Sequence, residues 1–203
     1  MLRTMGLRST SYAFPGFENL FDLTDPLANP PFRGKVLAEQ PFQLLRAEIS
    51  PSRSVRVEHA MGGRPRDLIW TTFAVVFLIS ERVRELLESA EVTGWKTFPV
   101  EVTDRVRSSV PGYHGFAVTG RCGPFDPSKS QMVIKPPPVP RGRAAPYRKG
   151  LYFDPGTWDG SDVFCSEDGS GTVVVTQRVQ ELFQRHKVTN VRFKRLVDVE
   201  RRA

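Results

Sequence analysis

Hydrophobic and polar positions follow two different periods along this chain, and the two periods occur twice in the same order. An apolar run ends at a hydroxyl residue, Ser80, after which apolar side chains recur at Val83, Leu86, Leu87 and Ala90. That spacing of three, four and seven lines one face of a helix, and the hydroxyl ahead of it can accept from free N–H groups in the first turn. Gly94 follows, a residue at ease with positive φ, and alternation with period two takes over at Phe98, Val100 and Val102. The same succession returns 96 positions later as Thr176, then Val179, Leu182, Phe183 and His186, then Asn190, then Val191 and Phe193. Arg82, Val83, Glu85, Leu86, Val92 and Thr93 recur identically at Arg178, Val179, Glu181, Leu182, Val188 and Thr189. The pattern predicts two strand–helix–strand units, near 72–102 and 172–199, with helices capped by Ser80 and Thr176 and related by an internal duplication.

Elsewhere the pattern is less regular. The apolar run 68–79, interrupted by Thr71 and Thr72, predicts one buried strand and is too short to span a bilayer, which takes about 20 residues. Patchy alternation between Val36 and Val57 predicts two or three short strands, and 113–119 predicts another. Residues 1–34 hold Tyr12, Phe14, Phe17 and Phe21 among Pro15, Pro26, Pro30 and Pro31 without a sustained period. They predict an irregular segment whose aromatics pack on the body, with 35–203 forming one domain. The expected class is α+β, a mixed or largely antiparallel sheet carrying the two related helices. Within 127–150 there is no acidic residue, while Lys129, Lys135, Arg141, Arg143, Arg148 and Lys149 are basic and prolines stand at 136, 137, 138, 140 and 146. Proline fixes φ and removes a donor, so this stretch predicts a stiff, extended basic arm or linker.

At 203 residues the chain can bury a sizeable core without covalent staples. Its two cysteines, Cys122 and Cys165, exclude a disulfide framework and an all-thiolate zinc site, and predict free buried thiols in a reducing cytoplasm. The first ten residues lack the apolar stretch of a signal peptide, which gives the same expectation of cytoplasmic localisation and no membrane partner. A net charge of +7 favours acidic partners. The two units differ sharply in that respect. Residues 81–104 carry six acids against three bases, and residues 177–200 three acids against six bases. Similar cores with opposite surfaces suit binding faces better than a shared catalytic centre.

No glycine-rich phosphate loop, His-Glu-x-x-His or Cys-x-x-Cys motif is present, so no cofactor or metal is expected. His186, on the apolar face of its helix, is expected to be partly buried and hydrogen-bonded at the helix end. His114 could activate Cys122 if the fold brought them together, the one route to a small enzyme with an unrecognised site. The run Arg192-Phe-Lys-Arg, with Tyr147, has the cations and aromatics of a nucleic-acid-binding module, the main alternative. Phe193, in phase with Val191, is expected to face the core instead. Arg141, Arg143, Tyr147, Arg148 and Lys149 are the candidate partner-binding residues.

The Asp67-led apolar run into residues 77–87, with Phe98-Pro-Val100, resembles the immunity proteins numbered eleven of bacterial polymorphic-toxin systems. Tyr113, Asp126 with Ser130, and the closing segment 173–197 extend the resemblance to roughly residues 35–200. The resemblance implies a small cytoplasmic protein that binds and neutralises a cognate toxin without catalysis. It brings no catalytic residue with it. Joined to the charge, it implies a toxin with an acidic surface.

Overall fold

The computed structural model describes residues 13–26, 32–72, 76–137 and 142–203. These form a mixed α+β structure dominated by sheet. The first half contributes β1 (Leu20–Thr24), β2 (Arg33–Leu37), α1 (Pro41–Leu45), β3 (Val55–Met61), β4 (Leu68–Thr71), β5 (Phe77–Ser80), α2 (Glu81–Ser89), β6 (Trp95–Phe98) and β7 (Val100–Thr103). The second half adds β8 (Tyr113–Val118), β9 (Gly120–Cys122), β10 (Gln131–Lys135), β11 (Ala145–Lys149), β12 (Val163–Ser166), β13 (Val173–Thr176), α3 (Gln177–Arg185), β14 (Arg192–Arg195) and β15 (Glu200–Arg202). A seven-stranded sheet runs β6-β8-β5-β4-β2-β3-β7, a five-stranded sheet β14-β1-β13-β12-β9, and a three-stranded sheet β10-β11-β15.

Several expectations change. The run 68–79 is two antiparallel strands, Leu68 pairing with Ile79, and the Thr71 hydroxyl donates to the Val76 carbonyl at the bend. Residues 41–45, expected within a strand region, form a short helix opened by Pro41, whose missing N–H costs nothing in a first turn. The amino-terminal segment is not wholly irregular, because β1 lies inside the five-stranded sheet between β13 and β14. Its period is hidden because the strand has cover on both faces: Leu20 packs in one core cluster and Leu23 in another. Tyr12 lies outside the described residues. The basic stretch is no linker either, since β10 and β11 form a hairpin.

The main core lies between the two larger sheets. Leu68, Phe77, Ile79, Phe116 and Val118 from one meet Leu23, Val163, Cys165, Val173 and Val175 from the other, with Val83 and Leu87 of α2 and Val179 and Phe183 of α3. Alternate residues point away into outer clusters, Ile69 and Leu78 beside Val57 and Phe32, Phe164 and Val174 beside Phe153 and Leu196.

The two predicted units occupy matching registers. In the order β6-β8-β5-β4, Ile79 stands opposite Leu68, Ser80 opposite Tyr113, and Phe116 opposite Thr97. In the order β14-β1-β13-β12, Val175 stands opposite Val163, Thr176 opposite Leu20, and Leu23 opposite Phe193. β1 thus takes in the second arrangement the place that β8 takes in the first. The helix ends match as well: Glu91 and Lys187 have φ of 50° and 51°, and Val92 and Val188 donate back to Leu87 and Phe183.

Two aspartates tie the arrangements together. Asp67 accepts from Thr189 N at 2.8 Å, Thr189 Oγ1 at 2.7 Å and Arg82 Nη2 at 2.7 Å. Asp162 accepts from Thr93 N at 3.1 Å, Thr93 Oγ1 at 3.3 Å and Arg178 Nη1 at 2.8 Å. Each aspartate therefore holds the arginine of its own helix and the threonine of the other unit. Arg82 and Arg178 reach onward to the carbonyls of His186 and Ala90, the opposite helix ends. The caps diverge slightly. Both cap hydroxyls donate to the aspartate of their own unit, Ser80 to Asp67 and Thr176 to Asp162, but only Ser80 Oγ also accepts from the first turn, from Val83 N.

Candidate partner-binding surface

The hairpin sheet carries the residues singled out in sequence, and strand alternation divides them. Register pairs Met132 with Arg148 and Ile134 with Pro146, so these four share one face. Val133, Lys135, Tyr147 and Lys149 lie on the other. On that second face the cations are already engaged: Lys135 sits 4.8 Å from the centre of the Tyr147 ring and pairs with Glu200, and Lys149 pairs with Asp198 at 3.2 Å. On the first face Arg148 donates to the Pro127 carbonyl at 2.7 Å, which fixes its guanidinium beside the strand. Arg143 is exposed in the connection leading into β11, and Arg141 lies outside the described residues.

The expected cluster is therefore not one patch. Arg148 stays with the first face, while Tyr147 and Lys149 turn to the second. What the sequence reading missed is apolar: Met132 and Ile134 are 51% and 66% exposed on an edge strand. Their signal was present as two large apolar residues two apart between Lys129 and Lys135. At the foot of this sheet a cavity of about 230 Å³ is lined by Phe125, Asp126, Arg148, Tyr152, Arg201 and Arg202.

The residues weighed for catalysis do not converge. His114 meets Glu81 rather than Cys122, and Arg84 and His114 together hold the Glu81 carboxyl well below its usual range, at about 2. Cys122 and Cys165 are free and buried in different clusters. Burial pushes the Cys122 thiol up to about 12, and Cys165 is raised for the same reason, the opposite of an activated nucleophile. His186 is exposed, contrary to expectation, because α3 ends there; its backbone N–H donates to the Leu182 carbonyl and its own carbonyl accepts from Arg82. Phe193 does face inward, packed edge-on against Phe183 at 5.9 Å. Among the described residues no group of three or more His, Cys, Asp or Glu could hold a metal ion, and no helix is long and apolar enough to cross a membrane.

Compared with protein families, residues 15–198 match the model of the immunity protein family Imm11. The chain belongs to that family. A comparison with curated proteins finds no match. The Imm11 match includes both matched arrangements and the whole hairpin. It begins some twenty residues before the start expected from motifs, for a physical reason: β1 is an interior strand, so the segment that carries it is part of the Imm11 fold.

Proposed function

We propose that this Imm11 protein neutralises a cognate bacterial toxin by direct contact, without catalysis, in the reducing cytoplasm where its buried thiols stay reduced. The outer face of the hairpin sheet forms part of the contact. The observation that carries this reading is the pair of exposed apolar side chains, Met132 and Ile134, on an edge strand beside Arg148. Exposed apolar residues grouped with an arginine are the composition of an interface centre. Arg143, and by sequence Arg141, supply positive charge, which speeds encounter with an acidic toxin surface more than it slows release. Family membership supports a toxin as the partner. We also infer that the two units arose by internal duplication, a reading supported by their common register and their reciprocal aspartates; their opposite charges fit surfaces that have since diverged.

The test is binding kinetics with the toxin encoded beside this gene. Met132→Glu with Ile134→Glu should raise the dissociation rate at least tenfold, since removing an interface centre costs roughly 1.4 kcal/mol or more. Arg141→Ala, Arg143→Ala and Arg148→Ala together should slow association at low salt and flatten its salt dependence. Unchanged rates in both variants would remove the hairpin from the interface. Tight binding of random-sequence RNA, lost as salt rises, would replace the toxin reading with nucleic-acid binding.

A further inference from the structure

The matched registers allow the two units to be compared residue by residue, and at one place they differ in kind. Between α3 and β14 runs a groove of about 430 Å³, lined by Phe21, Gln180, Phe183, Lys187, Val191 and Phe193 among others. That volume is in the range, roughly 300–1,000 Å³, of pockets that hold small organic groups. Register places His114, Arg84, Leu87, Glu91, Trp95 and Thr97 at the corresponding positions of the first unit. There the space is closed. Arg84 spans Glu81 and Glu88, bonding the latter at 2.5 Å, and His114 pairs with the same Glu81. Trp95 lies parallel to Phe116 with ring centres 5.8 Å apart, and its indole N–H donates to the Val92 carbonyl at 2.8 Å.

In the second unit every one of those devices is missing. Gln180 and Gln184 replace Arg84 and Glu88, Gln177 replaces Glu81, Phe21 replaces His114, and Val191 replaces Trp95. The place of an indole is left open and walled by aromatic and branched side chains. The surface around it is basic: residues 177–200 carry six bases against three acids. Arg178 and Arg195 are paired with Asp162 and Asp198. Arg185, Lys187 and Arg192 form no ion pair among the described residues.

We propose that this groove is a docking site for an aromatic side chain, best a tryptophan, presented by an acidic segment of a partner protein. The indole takes the position that Trp95 holds in the other unit, and its N–H meets the Val188 carbonyl, the counterpart of Val92. Lys187 and Arg192 receive the flanking carboxylates. Phe21, Phe183 and Phe193 supply the ring contacts, which gain from offset or edge-on geometry beyond the area they cover. This site is separate from the hairpin, so either can fail without the other.

A titration of the isotopically labelled protein with the peptide Asp-Glu-Trp-Glu-Asp, followed by amide chemical shifts, tests the proposal. Saturable shifts centred on Phe21, Val188, Val191 and Phe193 are expected, with a dissociation constant of about 1 mM or tighter, the scale one well-placed bicyclic group can reach. The same peptide with alanine for tryptophan should bind at least tenfold more weakly. Val191→Trp, which fills the groove with the residue its counterpart already carries, should abolish the saturable shifts. Lys187→Glu should weaken binding severalfold with the fold intact, because Glu91 holds the matched position at the same positive φ. Linear, unsaturated shifts to about 10 mM, equal binding of the alanine peptide, or binding unchanged in Lys187→Glu would each overturn the proposal.

Discussion

Replacing Asp67 by alanine removes one of the two carboxylates that hold the units to each other, and the loss can be sized from its partners. Thr189 gives it a backbone N–H at 2.8 Å and a hydroxyl at 2.7 Å, and Arg82 gives Nε at 3.1 Å and Nη2 at 2.7 Å. Hydrogen bonds to a charged acceptor contribute about 1.5 kcal/mol or more each, which applies to the Thr189 pair. The Arg82 side chain is 51% exposed, so its share is discounted to the half to one kcal/mol typical of surface pairs. The expected destabilisation is about 3.5 to 4 kcal/mol. With a urea slope of roughly 3 kcal/mol per molar, the unfolding midpoint falls by about 1 M. Asp67→Asn, which keeps the shape and an acceptor, should lose about half as much. Acid distinguishes charge from shape. Burial pushes the Asp67 carboxyl up, but the donors from Arg82 and Thr189 override it and leave it below its usual value. A folded value below the unfolded one means stability that is present above the unfolded value and lost as pH falls through the folded one. The gap between wild type and Asp67→Asn should therefore be full at neutral pH and close below about pH 4. A midpoint shift under about 0.2 M for Asp67→Ala, or a gap independent of pH, would refute the clamp.

Asp22 on β1 behaves oppositely, since burial raises its carboxyl to about 6 against the pull of Arg201 and Lys194. A folded value above the unfolded one makes the charged form a cost that grows as pH rises from about 4 to 6. Asp22→Asn should raise stability by roughly 3 kcal/mol at pH 7.5 and by little at pH 4, read from urea midpoints at the two pH values. Both thiols should resist Ellman's reagent in the native protein at pH 8 and react fully once urea unfolds it, because Cys122 and Cys165 are buried and their thiolates disfavoured.

The helices were legible because each keeps one face in solvent, which leaves the 3.6-residue period visible around Val83 and Val179. β1 was not, for the converse reason: flanked by two strands and packed on both sides, it shows no alternation of apolar and polar positions. The prolines misled in one particular. Pro146 lies in the middle strand of the hairpin sheet, opposite Ile134, where neighbouring residues carry the pairing that its own nitrogen cannot. The division of Arg148 from Tyr147 and Lys149 was available in principle, since adjacent residues of any strand point to opposite faces. The aspartate clamps were the least accessible. Asp67 and Asp162 precede their helices by similar intervals, but loops give no period from which to infer that each would reach across to the other unit's threonine.

The slot filled by β1 also sets an order of events in synthesis. β8 lies only one strand beyond β6 in the chain, so the arrangement around α2 can close from residues within about fifty positions of one another. β1, by contrast, pairs with β13 and β14, whose residues lie 150 or more positions downstream. A nascent chain cannot complete the pairing of that segment until translation has reached residue 195. Until then the half-built second sheet presents β13 with an open edge on the side where β1 will enter. Distant pairings of this kind fold slowly and leave edges exposed to wrong partners. Newly made copies of this protein are therefore most vulnerable to aggregation in the interval between release of β13 and capture of β1.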